Sequence, residues 1–187
     1  NQGFLSAFFT EICEMLSCSG HEVKVFCVKR FPHQPENMPF DIEIKQRRSI
    51  LRDYWEIFKM FYRERPDVVI SNFRYVNPSL FFGKILGVNN NLAWFHSLNE
   101  QMQPTRLKIH IKRLFLKLAD CVIANSTLTA VQLYEIYGVK KKKIETLPFW
   151  SNIDNQISEP QSKTLFLDKK NIVLGCPGRM VAHKNQK

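Results

Sequence analysis

Segments with apolar residues at helical spacing alternate at least four times with short apolar runs, and this alternation limits the fold more than any other feature of the chain. Residues 4–18 place Phe4, Leu5, Phe8, Ile12, Met15 and Leu16 on one helical stripe, and Gly20 ends it. The run "HEVKVFCV" (21–28) reads as a strand and "DIEIK" (41–45) as a shorter one. Residues 49–63 return to helical period through Ile50, Leu51, Tyr54, Ile57, Phe58, Phe61 and Tyr62. In "RPDVVIS" (65–71) a proline stops that helix before a buried strand. A helix over 78–86 ends at Gly87, followed by the strand "NLAWFH" (91–96), a helix over 105–118 and the strand "DCVIANS" (120–126). A helix over 128–137, stopped by Gly138, and a last strand in "KKIETLPF" (142–149) complete the series. Helices alternating with short strands predict an α/β fold, Rossmann-like and doubly wound, with a mainly parallel sheet and right-handed crossovers. Such a domain ordinarily opens on a strand; here the helical pattern comes first.

In such sheets ligands bind at the carboxyl ends of strands. That directs attention to Lys29–Arg30, Ser71–Asn72, His96–Ser97, Asn125–Ser126 and Gly178–Arg179. His96 ends an apolar strand, where it can hydrogen-bond a substrate hydroxyl, carry a proton, or simply sit satisfied in the fold. Glu100 follows four residues later and can orient it, act itself, or lie on the surface. Asn125–Ser126–Thr127 is formally a glycosylation sequon, better explained as a helix cap.

The terminal "GCPGRMVAHKNQK" delivers Gly178, Arg179 and Lys184 after the apolar run 171–175. A glycine turn with a planar guanidinium and a compact ammonium suits phosphate oxygens, although the same residues also make a solvated basic turn. Gly3 precedes a helix whose N-terminus can hold an anion; a plain turn glycine is the simpler reading. Residues 150–170 are polar and aperiodic, and read as a linker.

The net charge of +10 favours anionic partners without choosing among them. It is concentrated in "PTRLKIHIKRLFLKLAD" (104–120), where Leu107, Ile111, Leu114, Phe115 and Leu118 form one stripe and Arg106, Lys108, Lys112, Arg113 and Lys117 the other faces. That pattern fits either contact with an anionic membrane surface or a crossover helix with a solvated charged side. "KKKK" (140–143) adds to the same field. Hydrophobic residues make up 44% of the 187, enough for a real core. No apolar run approaches the roughly 20 residues that span a bilayer, and no signal peptide or metal-ligand cluster is visible. The five cysteines, at 13, 18, 27, 121 and 176, are odd in number and scattered, and read as buried reduced thiols in a cytoplasmic protein.

In order, these segments resemble the N-terminal half of the group 1 (family 4) glycosyltransferases of GT-B fold. "GHEVKVFCV" is similar to that family's second strand. "RPDVVIS" and "NLAWFHSLNE" are similar to its strands leading to the acceptor side. "ADCVIANSTLTAVQLYEIYGVKKKKIETLPF" matches its long helix-bearing run, and "NIVLGCPGRMVAHKNQK" the opening of its second domain. The resemblance implies an acceptor-side domain over 1–149, an interdomain linker over 150–170 and the start of a nucleotide-sugar-binding domain over 171–187. It implies transfer of a sugar from a nucleotide-activated donor to a glycan or lipid-linked acceptor, with retention, without metal or other cofactor, in cell-surface polysaccharide or lipopolysaccharide synthesis. The setting it implies is cytoplasmic, peripheral on the inner face of the cell membrane. His96 falls on the histidine near the reacting sugar, Gly3 on the glycine loop near the donor phosphates, and Arg179 and Lys184 on the pair that neutralises the diphosphate. Departures are Gln2–Gly3 for a double glycine, "HKN" for "K-G" and "PFWSNID" for the usual linker motif. The resemblance stops short of the family's nucleotide-binding half and the E-x7-E motif it carries, so the 187 residues by themselves are expected to lack transferase activity. The competing reading is a non-enzymatic basic module that stacks single-stranded nucleic acid on Phe73, Tyr75, Trp94 and Phe95.

Overall fold

The computed structural model describes residues 4–27, 38–45, 49–96 and 104–149. All of them fall within one compact unit spanning residues 1–150. The expectations for Gly3, Glu100, Gly178, Arg179 and Lys184, and for the segments 150–170 and 171–187, lie outside the described residues.

The elements follow the expected alternation. In chain order they are α1 (Phe4–Cys18), β1 (Lys24–Cys27), β2 (Asp41–Ile44), α2 (Ile50–Glu64), β3 (Val68–Asn72), α3 (Val76–Ile85), β4 (Asn90–Phe95), α4 (Arg106–Leu116), β5 (Cys121–Ala124), α5 (Thr127–Glu135) and β6 (Ile144–Thr146). Single 3-10 turns occupy Phe73–Tyr75 and Lys141–Lys143. Side-chain caps start three helices: the hydroxyls of Ser49, Thr105 and Ser126 accept from the amides of Arg52, Lys108 and Thr129. Gly20, Gly87 and Gly138 follow α1, α3 and α5 at φ of 87°, 74° and 64°, conformations that a Cβ opposes.

Every strand pair among the described residues is parallel. The pairing separates into β1–β2 and β3–β4–β5–β6. This break was not expected from the sequence. In the doubly wound order 3-2-1-4-5-6, the first strand lies between the second and the fourth. Here β2, β1 and β3 take the positions of strands 3, 2 and 4, and no strand among the described residues pairs between β1 and β3. Helix α2 bridges the two sheets, its Ile57 and Phe61 packing on Val69 of β3 while Phe26 of β1 packs against the same cluster. Ion pairs of Lys24 with Glu64, and of Arg63 with Glu43 at 2.6 Å, hold α2 to β1 and β2.

The larger core lies between the four-stranded sheet and α3, α4 and α5. Leu80, Ala93, Leu116, Val122, Ala124 and Leu133 are buried there. Helix α1 covers the opposite face, setting Phe8 against Trp94 and Ile123. Trp94 and Phe95 are thereby buried on opposite faces of β4, as period-2 alternation requires, so neither ring can reach a nucleobase. That removes two of the four stacking rings on which a nucleic-acid reading depended.

The outer surface of α4 departs from expectation. Leu107, Ile111 and Leu114 are exposed, not packed, and the helix faces inward through Ile109, Phe115 and Leu116. The sequence of α4 is apolar on two sides, so spacing alone does not select the buried one. On α2, likewise, Leu51, Trp55 and Tyr62 lie outward, with the rings of Trp55 and Phe58 stacked at 5.1 Å. No disulfide joins the described cysteines, and none of them is fully buried, a correction to the expectation of buried thiols: Cys13, Cys27 and Cys121 are half-buried and Cys18 is exposed. No helix among the described residues is long and apolar enough to cross a membrane.

Candidate functional site

Three strand ends converge at the carboxyl edge of the four-stranded sheet. β3 delivers Asn72 and Phe73, β4 delivers His96, and β5 delivers Asn125 and Ser126, in adjacent registers. Phe73 turns the chain there at φ 50°, left-handed backbone that costs a bulky residue on the order of 1–3 kcal/mol. Its ring leans on the His96 imidazole with centroids 4.4 Å apart. Phe149 stacks on the same imidazole at 5.5 Å, and Phe9 of α1 meets it edge-on at 6.0 Å. Three aromatic rings from three parts of the chain thus enclose His96.

Both His96 ring nitrogens are buried and have no hydrogen-bond partner among the described residues. Burial among the rings, reinforced by the positive charge of Lys112, lowers the His96 pKa to about 4. At neutral pH the ring is therefore uncharged, with one nitrogen donating and the other accepting. Orphaned buried polar atoms are uncommon in folded proteins and call for an explanation. Here they sit where an α/β sheet binds its ligand.

Asn125 and Ser126 serve the local fold. Ser126 Oγ accepts from the Thr129 amide at 3.2 Å, and Thr129 Oγ1 donates to Asn125 Oδ1 at 2.9 Å. The Asn125 amide nitrogen approaches the His96 carbonyl oxygen at 3.5 Å, linking the ends of β4 and β5. The helix-cap reading of the sequon is the one the geometry matches, and it makes these residues supports of the edge.

The five Lys and Arg residues of α4 and its C-cap divide. Arg106, Lys108 and Lys117 are exposed. Arg113 turns inward and donates from Nη2 to the Ile136 carbonyl at 2.7 Å. Lys112 also turns inward, its Nζ 3.4 Å from Asn77 Oδ1 and 5.7 Å from the Phe95 ring centroid. Burial lowers its pKa to about 8. Lys112 and Arg113 thus correct the expectation that all five cations face outward; helical geometry carries residues 109, 112, 113 and 116 onto the side that meets the sheet. In the lysine run, Lys143 donates to the carbonyls of Ala119 and Lys117, and Lys141 lies over the Tyr134 ring, so two of the four lysines have structural partners.

The sequence pointed to His96 by position. It gave no sign of the aromatic enclosure, because Phe9, Phe73 and Phe149 are far apart along the chain. Lys112 was hidden among neighbouring cations on a helix with two apolar sides. Among the described residues, no group of three or more His, Cys, Asp or Glu is placed to hold a metal ion.

No curated protein matches the chain in sequence. The sequence profile of Glycosyltransferase Family 4 matches residues 5–150, which cover α1 through β6 and the entire edge just described. A profile match over more than three quarters of the chain, on an all-parallel α/β scaffold, shows that the chain belongs to Glycosyltransferase Family 4.

Proposed function

We propose that residues 1–149 are the acceptor-side domain of a glycosyltransferase that moves a sugar from a nucleotide-activated donor to a glycan or lipid-linked acceptor. The observation carrying this reading is His96: an uncharged imidazole at the sheet's carboxyl edge whose two nitrogens have no partner among the described residues, in a domain matched to the family. A neutral imidazole can orient a sugar hydroxyl by donating or accepting a hydrogen bond without adding a charge beside the reacting carbon. Rings on three sides keep water from competing for those bonds. On this reading Gly3, Gly178, Arg179 and Lys184 contact the donor diphosphate, whose developing charge on departure the two cations offset. Residues 171–187 then open the nucleotide-sugar-binding domain, joined by 150–170. Retention, independence of metal and a place in cell-surface polysaccharide synthesis belong to the same reading.

We propose further that the protein rests on the inner face of the cell membrane through α4. Its outer side presents Leu107, Ile111 and Leu114 beside Arg106, Lys108 and Lys117, and α3 adds Phe81, Ile85 and Lys84 nearby. An apolar patch rimmed by cations suits an anionic headgroup layer.

The test uses the full natural chain with a panel of nucleotide sugars and cell-envelope acceptors, following release of nucleoside diphosphate. Acceptor-dependent release that disappears in His96→Ala supports the reading, and equal release by both proteins refutes the role of His96. For the membrane, co-sedimentation with phosphatidylglycerol vesicles is expected to exceed that with phosphatidylcholine, and to fall in Leu107→Ser/Leu114→Ser. Equal binding to both vesicles would remove the membrane contact.

A further inference from the structure

Helix α2 turns an aromatic row toward solvent. Leu51, Trp55, Phe58 and Tyr62 follow one another at the spacing of a single helical stripe. Trp55 and Tyr62 are 54% and 62% exposed, and α2 meets the core through Ile57 and Phe61 instead. The row continues across its neighbours. Trp55 stacks on Phe58 at 5.1 Å, Phe58 meets Phe82 of α3 at 5.4 Å, Phe82 meets Phe81 at 5.2 Å, and Phe81 meets Phe115 of α4 at 6.4 Å. This seam of rings joins the stripe of α2 to exposed Phe81 and Ile85 on α3 and to the outer side of α4. An apolar surface that runs exposed across three helices marks a contact with another body. Charge selects that body. Helices α3 and α4 hold no carboxylate. The three carboxylates of α2 are all in ion pairs: Asp53 with Arg74, Glu56 with Lys45 and Lys59, and Glu64 with Lys24 and Arg63. Exposed Arg52, Lys84, Arg106 and Lys108 therefore set the sign of the face. A second copy of the chain would bring like charges together, whereas an anionic headgroup layer neutralises them. Tryptophan and tyrosine, each with an apolar body and a polar tip, suit such a layer.

We propose that α2 is a membrane anchor in its own right, laying Trp55 and Tyr62 into the headgroup layer of an anionic phospholipid bilayer beside α3 and α4. This rests on the membrane reading of α4 and adds to it a contact made by rings. The cations of the face act through a field that salt screens within about 10 Å at 0.1 M, while burial of the rings is not screened. Contact through neighbouring helices also fixes the orientation of the domain on the surface, which one helix alone leaves free to roll.

The test compares the full natural chain with Trp55→Phe and with Trp55→Ser/Tyr62→Ser, using phosphatidylglycerol vesicles whose lipids carry bromine near the headgroup end of the acyl chains. Bromine quenches a tryptophan that enters the bilayer. Quenching is expected in the natural chain and should be mostly lost in Trp55→Phe, which keeps a ring in the stack. The double serine variant should bind the vesicles at least about tenfold more weakly. Its circular dichroism should be unchanged, because both side chains are more than half exposed. Vesicle binding without Trp55-dependent quenching, or equal binding by the double serine variant, overturns the proposal and leaves the α4 contact to be judged by Leu107→Ser/Leu114→Ser. Trp55-dependent quenching with binding that ignores Leu107→Ser/Leu114→Ser keeps the α2 anchor and removes that of α4. A chain that binds no vesicles overturns both. If that chain instead self-associates, and the double serine variant does not, the row belongs to a second copy.

Discussion

Replacing Lys112 with methionine should make the domain more stable. Methionine keeps the length and apolar character of the stem and discards the charge, and with it the ammonium's contact with the Phe95 ring at 5.7 Å. The folded lysine has a pKa of about 8 against an ordinary value of 10.5. At about 1.36 kcal/mol per pKa unit this corresponds to about 3 kcal/mol of destabilisation when the amine is charged. The side chain is half-buried, not sealed, so about 1–3 kcal/mol is the expected gain at neutral pH. Loss of the long bond to Asn77 and of the ammonium's contact with the Phe95 ring takes back part of this, about 0.5–1 kcal/mol. The direction with pH follows from linkage: a depressed folded pKa leaves the unfolded chain binding more protons between about 8 and 10.5. The cost is therefore present in full below pH 8 and fades as pH rises to 10.5. Urea denaturation of the native chain and Lys112→Met at pH 7 and at pH 10 measures it. The variant should gain at pH 7, and the gain should shrink at pH 10. A variant less stable at pH 7, or a gain that ignores pH, would refute the idea of an uncompensated buried charge.

Other outcomes follow from the same geometry. Gly83→Ala would place a Cβ 2.2 Å from Asn91 Nδ2, which donates to the carbonyls of Ser79 and Leu80 inside the core. Thermal denaturation should show a loss of about 1–3 kcal/mol from overpacking and disturbed hydrogen bonds, and a wild-type melting curve would contradict the close approach. Phe8→Ala removes the ring that pins α1 to Trp94 and Phe149 at 5.4 and 4.7 Å; a loss of about 3–5 kcal/mol is expected by urea titration, with tryptophan fluorescence shifting to the red if α1 detaches. His96, with its pKa lowered to about 4, should show no ring-proton titration by NMR between pH 5.5 and 8. Its contribution to stability should be complete above about pH 6.5 and decline as pH falls toward 4, because there the unfolded chain takes up the proton first. An ordinary midpoint near 6.5 would mean that the aromatic enclosure is open to water.

Local punctuation and strand ends were legible in the sequence because the chemistry that sets them is local. Gly20, Gly87 and Gly138 closed helices as read, Ser126 capped α5, and His96 fell at the end of its strand. The outward turn of Leu107, Ile111 and Leu114 was not legible, since α4 offers two apolar sides and the sheet chooses between them. Nor was the inward turn of Lys112, which depends on Asn77 and Phe95 arriving from α3 and β4. The division of the strands into two sheets is likewise a matter of long-range pairing that no short window contains. Around His96 the sequence supplied the histidine, and the fold supplied the rings of Phe9, Phe73 and Phe149 that make it neutral and unpartnered.

The central claim is that sugar transfer takes place at the carboxyl edge around His96. The measurement that tests it most directly is steady-state transfer by the full chain with His96 replaced by leucine, an apolar residue that fills the aromatic enclosure without a hydrogen-bonding nitrogen. We expect kcat to fall by roughly 100-fold, the loss that follows when a reacting hydroxyl is no longer held in position, with donor KM little changed and the fold intact by circular dichroism. An unchanged kcat in a folded His96→Leu protein would contradict the account.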